Sequence, residues 1–221
     1  MRKAILVAVA SLVFMGVATA QNGQAHFKIG KLKYEGGGDW YSNPTALPNL
    51  ISYINQQTNS QVYISDEVVE PGGSQIFQFP YVYMTGHGNV NFSDQEARNL
   101  RTYLVSGGFL HIDDNYGMDP YIRREMKKVF PELEFVELPY SHDIYHEHFE
   151  FPKGLPKIHE HDGKPPKGYA LIYENRVLCF YTSECDLGDG WEDQVVHNDP
   201  EELRQQALKM GTNIVMWAIN H

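Results

Sequence analysis

The sequence predicts a three-layer α/β domain with a mainly parallel central sheet, and three observations carry that expectation. Strand-like and helix-like segments alternate along the chain, the ordering that builds a parallel sheet flanked by helices. In "GGFLHIDDN" the residues Phe109, Leu110 and Ile112 form an apolar run, as a strand covered on both faces requires. A capped helix precedes that strand with almost no connecting residues, which makes a short right-handed β-α-β unit.

Taken in order, "AHFKIGKLKY" alternates apolar and polar residues and predicts a first strand near a sheet edge, running straight into "EGGGDW". Leu47, Leu50, Ile51 and Ile54 recur at helical spacing between Pro44 and Thr58, and "QVYIS" predicts a short strand. The stretch "VVEPGGSQIFQFP" reads as a connection with room for one extra strand, and "YVYMTGHGN" as a central strand with its exit loop. Ser93 opens a helix with a capping box, because Glu96 lies three residues on. Ala97, Leu100 and Leu104 form its inner stripe, and Gly107-Gly108 end it. Asp119 caps a further helix with Pro120 at its first position, running to about Phe130, and "EFVEL" predicts the next strand. Between residues 139 and 168 the composition turns to Pro, Gly and His with little periodicity, a long irregular segment of the kind that carries function. "YALIYENRVLCFYTSE" predicts a hairpin turning at Glu174-Asn175. Asp199 and Pro200 open a last helix with the stripe Leu203, Ala207, Met210, Ile214 and Trp217.

The length of 221 residues suits one domain. Arg2 and Lys3, an apolar run from Ala4 to Val17, and Ala18-Thr19-Ala20 predict a secretory signal peptide over 1–20, with the α/β domain over 21–221 and a periplasmic or extracellular location. The run is shorter than a comfortable membrane span and no second one follows, so no span is expected after cleavage. The formal net charge is −10; it argues against nucleic acid and anionic membranes as partners and leans toward cations. Export permits a disulfide between Cys179 and Cys185, but continued strand would hold their Cα atoms about 20 Å apart, so a bridge requires a sharp reversal at Ser183-Glu184.

Loops that follow parallel strands converge on one edge of the sheet. Here those loops read "EGGGDW", "GHGNVN", "DDNYG", "PYSHDIYHEH" and "SECDLGDGWED", rich in Asp, His, Gly and Trp. Adjacent Asp113 and Asp114 repel and cannot be buried without partners, so they are expected to emerge at the strand end. With His87, which lies between two glycines where the alternative is a solvated turn, they are the candidates for acid-base chemistry. Asp39, Trp40, His87, Asn115, Asp186 and Trp191 are the expected ligand contacts, although each indole can equally plug the end of the core. In "HDIYHEH", His142 and His146 share a face if helical, joined by His148 if extended. With Asp113 and Asp114 they form the expected ligand set for zinc or another divalent metal. His159 and His161 lie among lysines and prolines and predict a solvated loop. Gly36 to Gly38 lack the Lys and Ser/Thr of a phosphate loop.

The motifs "GGGDW", "YMTGHG" followed by a helix ending in "GGFLHIDDN", then "SHDIYH" and "DLGDGWE", in this order, resemble the bacterial DUF4159 family, a domain of unknown function, over nearly the whole mature chain. The resemblance implies a flavodoxin-like domain related to the class I glutamine amidotransferase superfamily, whose active members hold a nucleophilic cysteine at a strand-to-helix elbow. "FLHIDDN" occupies that elbow, so Asp113 or Asp114 stands where the cysteine would be. The "TGHG" and "GG" pattern is also similar to trehalose-utilisation-type proteins of the same superfamily, which implies carbohydrate. The expectation is an exported domain that holds a small polar ligand or a metal ion at the carboxyl edge without a cysteine nucleophile. The alternatives are a metal-assisted hydrolase using His and Asp ligands, and a non-catalytic partner in an envelope assembly.

Overall fold

The computed structural model describes residues 26–221, and the predicted leader over 1–20 lies outside them. Seven strands form one sheet: β1 (His26–Leu32), β2 (Gln61–Val69), β3 (Tyr81–His87), β4 (Phe109–Tyr116), β5 (Val136–Glu137), β6 (Lys167–Tyr173) and β7 (Arg176–Ser183). Their spatial order is β2-β1-β3-β4-β7-β6-β5. The first five in that order are parallel, whereas β6 runs antiparallel to both β7 and β5. The helices are α1 (Ala46–Gln57), α2 (Asp94–Val105), α3 (Asp119–Val129), the short α4 (Leu187–Trp191) and α5 (Gln194–His197), and α6 (Glu201–Asn220).

Side-chain alternation along the strands makes the three layers. Tyr81, Tyr83 and Phe109 point into a core with α1 and α6, while Val82, Met84, Leu110 and Ile112 point into a second core with α2 and α3. Helix α1 has no side-chain cap, so its apolar stripe holds it. Leu47, Leu50, Ile51 and Ile54 are each 1% exposed or less, and each such burial contributes about 1.5–3 kcal/mol. Helix α2 begins as the sequence predicts: Ser93 Oγ accepts from Glu96 N at 3.3 Å, and Ser93 N donates to Glu96 Oε2 at 2.7 Å. A side chain at Gly108 would collide with the ring of Tyr103, which is why this helix can turn directly into β4.

The hairpin turns at Glu174 and Asn175, both left-handed, with φ of 48° and 65°. A two-residue turn of that form matches the twist of the strands it joins. Other expectations shift. Strand β1 does lie near the edge, one strand in, but β2 continues to Val69, and a single 3-10 turn over Ser74–Gln78 replaces the extra strand. "EFVEL" supplies only the exposed pair Val136–Glu137, added antiparallel at the far edge. Asp119 does not cap α3: it pairs with Arg123 at 2.8 Å, the N-cap residue is Met118 with no side-chain cap, and Asp114 fixes the approach to the helix by accepting from Met118 N at 3.0 Å. Cys179 and Cys185 are buried free thiols. They lie in the two different cores, on opposite faces of the sheet. No described helix is long and apolar enough to cross a membrane.

Candidate functional site

Neighbouring residues of a strand point to opposite faces, and this resolves the paired carboxylates. Contrary to the expectation that they emerge, Asp113 is 0% and Asp114 6% exposed, each buried among its own donors. Asp113 turns toward α1 and α6. Its Oδ1 accepts from Thr182 Oγ1 at 2.6 Å and Leu187 N at 3.3 Å, and its Oδ2 from Gly188 N at 2.6 Å and Tyr83 Oη at 3.2 Å. These bonds tie the start of α4 to the middle of the sheet. Burial nevertheless raises Asp113 to about 7, against the pull of Thr182 and Gly188. Asp114 turns to the other face, where Tyr181 Oη donates to it at 2.7 Å.

Behind Asp113 lies a buried relay. His111 contacts Tyr81 Oη through Nδ1 at 2.7 Å and Thr182 Oγ1 through Nε2 at 3.0 Å. If Tyr81 donates to Nδ1 and Nε2 donates to Thr182, the Thr182 hydroxyl is free to donate to Asp113, so one tautomer satisfies every member. Burial lowers His111 to about 3, which keeps the ring neutral.

The chain leaves β1 toward β2 on one side and resumes at β3 on the other, a topological switch point of the kind that binds ligands in open α/β sheets. Asp39 and His87 meet here. Asp39 Oδ1 accepts from His87 N at 2.5 Å, and Asp39 Oδ2 lies 3.0 Å from His87 Nδ1. Trp40 packs, partly buried, against the α2 and α3 core. Asn115 is inside, accepting from Thr85 Oγ1 and donating to Asn43 Oδ1, both at 2.8 Å. Asn43 in turn donates to Asp189 Oδ1 at 2.6 Å, linking the centre of the edge to its β7 side.

On that side a cluster forms that the sequence reading assigned to a solvated loop. His159 is flanked by Asp189 Oδ2 at 2.9 Å and Asp186 Oδ2 at 3.5 Å on Nδ1, and by Asp199 Oδ1 at 3.1 Å on Nε2. His161 Nε2 bonds Asp186 Oδ2. His197 Nε2 lies 2.9 Å from Glu192 Oε2 and 3.7 Å from Asp189 Oδ1. The carboxylates explain why these imidazoles fold inward: Asp186 and Asp189 raise His159 to about 10, while against burial His159, His197 and Asn43 hold Asp189 below its ordinary value. Burial raises Asp186. Among the described residues, His159, Asp189 and His197 are the group whose ligand atoms converge, all within 4.8 Å of one another. The signal was present as an acid-rich segment, "ECDLGDGWED", that needed cationic partners, and as two histidines placed between lysines.

The histidines expected to hold a metal are not brought together with Asp113 and Asp114. His142 Nδ1 accepts from Ile144 N, and its ring lies 5.1 Å from that of Trp217 near the end of α6. His146 contacts Glu150 at 2.6 Å, and His148 reaches the carbonyl of Gln57 at the C-terminal end of α1. The reason is local: "HDIYHEH" is neither helix nor strand but a 3-10 turn over Asp143–Tyr145, which fans the rings apart. Trp191 is 0% exposed and donates to Ala207 O at 2.8 Å, closing the core and not facing a ligand.

A cleft of about 780 Å³ opens beyond the carboxyl ends of β4 and β7, lined by Asp114, Tyr116, Arg123, His161, Lys164 and Tyr169 among others. Its cations are already paired: Arg123 with Asp119 at 2.8 Å, Lys164 with Asp162 at 2.9 Å, and Lys167 with Glu137 at 2.7 Å. Tyr116 is half exposed and lies against His161, with ring centroids 4.6 Å apart. No curated protein matches the chain. The family profile described as a domain of unknown function (DUF4159) matches residues 28–219, nearly the whole described domain, and the chain belongs to that family.

Proposed function

We propose that this chain is an exported ligand-binding α/β domain that takes a small, uncharged polar molecule at the carboxyl edge of its sheet and works without a cysteine nucleophile. The observation that carries this reading is the cleft over β4 and β7, a volume suited to a small ligand. Its lysines and arginine are neutralised in pairs, so an anion would find no free cation there, whereas hydroxyl groups would find both donors and acceptors beside the face of Tyr116. The strand order β2-β1-β3-β4-β7 with helices on both faces supports the flavodoxin-like, amidotransferase-related assignment. Burial drives both thiols well above their ordinary values, which supports a site without a thiolate. Export rests on the leader pattern of residues 1–20.

Titration calorimetry against sugars and polyols, with phosphate and dicarboxylates as charged comparators, tests the reading. Saturable heat from a neutral ligand that disappears in Tyr116→Ala is the expected result; binding confined to the anions sinks it. A second reading, a metal-assisted hydrolase, is favoured by the cluster of His159, Asp189 and His197, which His161 and Asp186 connect to the cleft. Release of a product from a bound ester or glycoside would separate it from simple binding.

A further inference from the structure

The cluster around His159 has an excess of ligand atoms over the bonds that use them. Asp186 is 0% and Asp199 8% exposed. Each directs one oxygen at His159, yet Asp186 Oδ1 and Asp199 Oδ2 are buried without any hydrogen bond. Orphaned carboxylate oxygens are costly to bury, and the two carboxylates that carry them both reach the His159 ring through their other oxygen, so the cluster asks for a cation. The rings of His159 and His197 approach to 5.2 Å between centroids, with Asp189 reaching both. The backbone bearing these groups is well fixed: Asn43 holds Asp189, and the N–H groups of Leu187 and Gly188 are anchored on Asp113.

We propose that His159, Asp189 and His197 bind one divalent transition-metal ion, with Asp186 and Glu192 as the neighbouring oxygen donors and Asp199 orienting His159 from behind. Two imidazoles and a carboxylate suit zinc, cobalt or iron in the divalent state and are poorly matched to calcium, which takes only oxygen ligands. The ion takes the place of the ring protons by which His159 and His197 now bridge to Asp189 and Glu192. If Nδ1 of His159 is the ligand, its Nε2–H is left on Asp199, the carboxylate–histidine–metal arrangement in which the outer acid fixes the ring. The inference does not depend on what the cleft holds.

The test uses the chain purified without a histidine tag, stripped with chelator and titrated with Co²⁺ alone, following visible absorption, then with Zn²⁺ in competition. One equivalent of Co²⁺ per chain, with ligand-field bands that Zn²⁺ abolishes, is expected for the wild type and for His146→Ala. His197→Ala removes a ligand on a short surface helix and should abolish the bands with unchanged circular dichroism. Asp199→Asn should weaken binding by about 10–100-fold while keeping the bands, and it serves as the deciding variant if His197→Ala misfolds. Absence of uptake by folded wild type, equal uptake by His197→Ala and Asp199→Asn, or loss confined to His146→Ala overturns the proposal.

Discussion

Removing the Asp113 side chain is the sharpest test of how the carboxyl edge is built. Asp113→Ala strands four donors, of which the hydroxyls of Tyr83 and Thr182 can turn, Thr182 toward the carbonyl of Ile112 at 3.2 Å. The amides of Leu187 and Gly188 cannot turn. Two buried N–H groups without acceptors at about 1–3 kcal/mol each give an expected loss of roughly 2–6 kcal/mol. Asp113→Asn is informative because both oxygens of Asp113 face a backbone N–H. An amide can satisfy one and must oppose its own NH₂ to the other, so roughly half that loss is expected, about 1–3 kcal/mol. A protonated Asp113 differs from Asn, since its proton can go to a hydroxyl oxygen, which accepts. Urea unfolding followed by far-ultraviolet circular dichroism measures both variants. A loss under about 1 kcal/mol for Asp113→Ala refutes the reasoning; the carboxylate would then belong to a ligand and not to its own scaffold.

Ser93→Ala should cost about 1 kcal/mol in the same assay, since it opens the capping box of α2; an unchanged midpoint would show the box to be idle. Gly211→Ala places a methyl 2.7 Å from both Leu50 Cδ1 and the Trp191 ring, so overpacking of about 1–3 kcal/mol should outweigh the better helix propensity, and a stabilised variant would contradict that. His111 binds fewer protons folded than unfolded, so its share of the stability is present above its ordinary value of 6.5 and is lost as pH falls toward about 3. The stability deficit of His111→Gln relative to wild type should therefore shrink on acidification. Asp113 acts with the opposite sign between 3.8 and about 7 and is intact in both proteins, so a deficit that stays constant with pH would count against a neutral buried ring.

The fold was legible where periodicity and punctuation agreed. The stripe of α1, the capping box of α2 and the Glu174-Asn175 turn each depend on residues within a few positions of one another, and each stands where the sequence places it. The short β5 depends on which strands pair, which local patterns do not record. The same division runs through the site. Asp39 and His87 are brought together because the loop after β1 and the last residue of β3 meet at the switch point, which the strand order alone specifies. The cluster joins His159 to Asp189, roughly 30 residues on across the hairpin, and to His197 at the end of α5, and His159 sits in a stretch whose lysines and prolines suggest only solvent. Composition shows that imidazoles and carboxylates are available; the return of the chain decides which of them meet.

That return has a consequence for how this protein can vary. Because β6 descends where a parallel strand would have ascended, the segment before it and the segment after β7 start and finish on the same rim. Two stretches that lie on either side of a hairpin in the chain therefore face each other across one rim, with Lys167 opposite Ser183 where they meet the sheet. His159 and His161 lie in the chain between β5 and β6, whereas the rungs of this rim lie in β6 and β7, so what the rim can hold and the frame that holds it are specified by different residues.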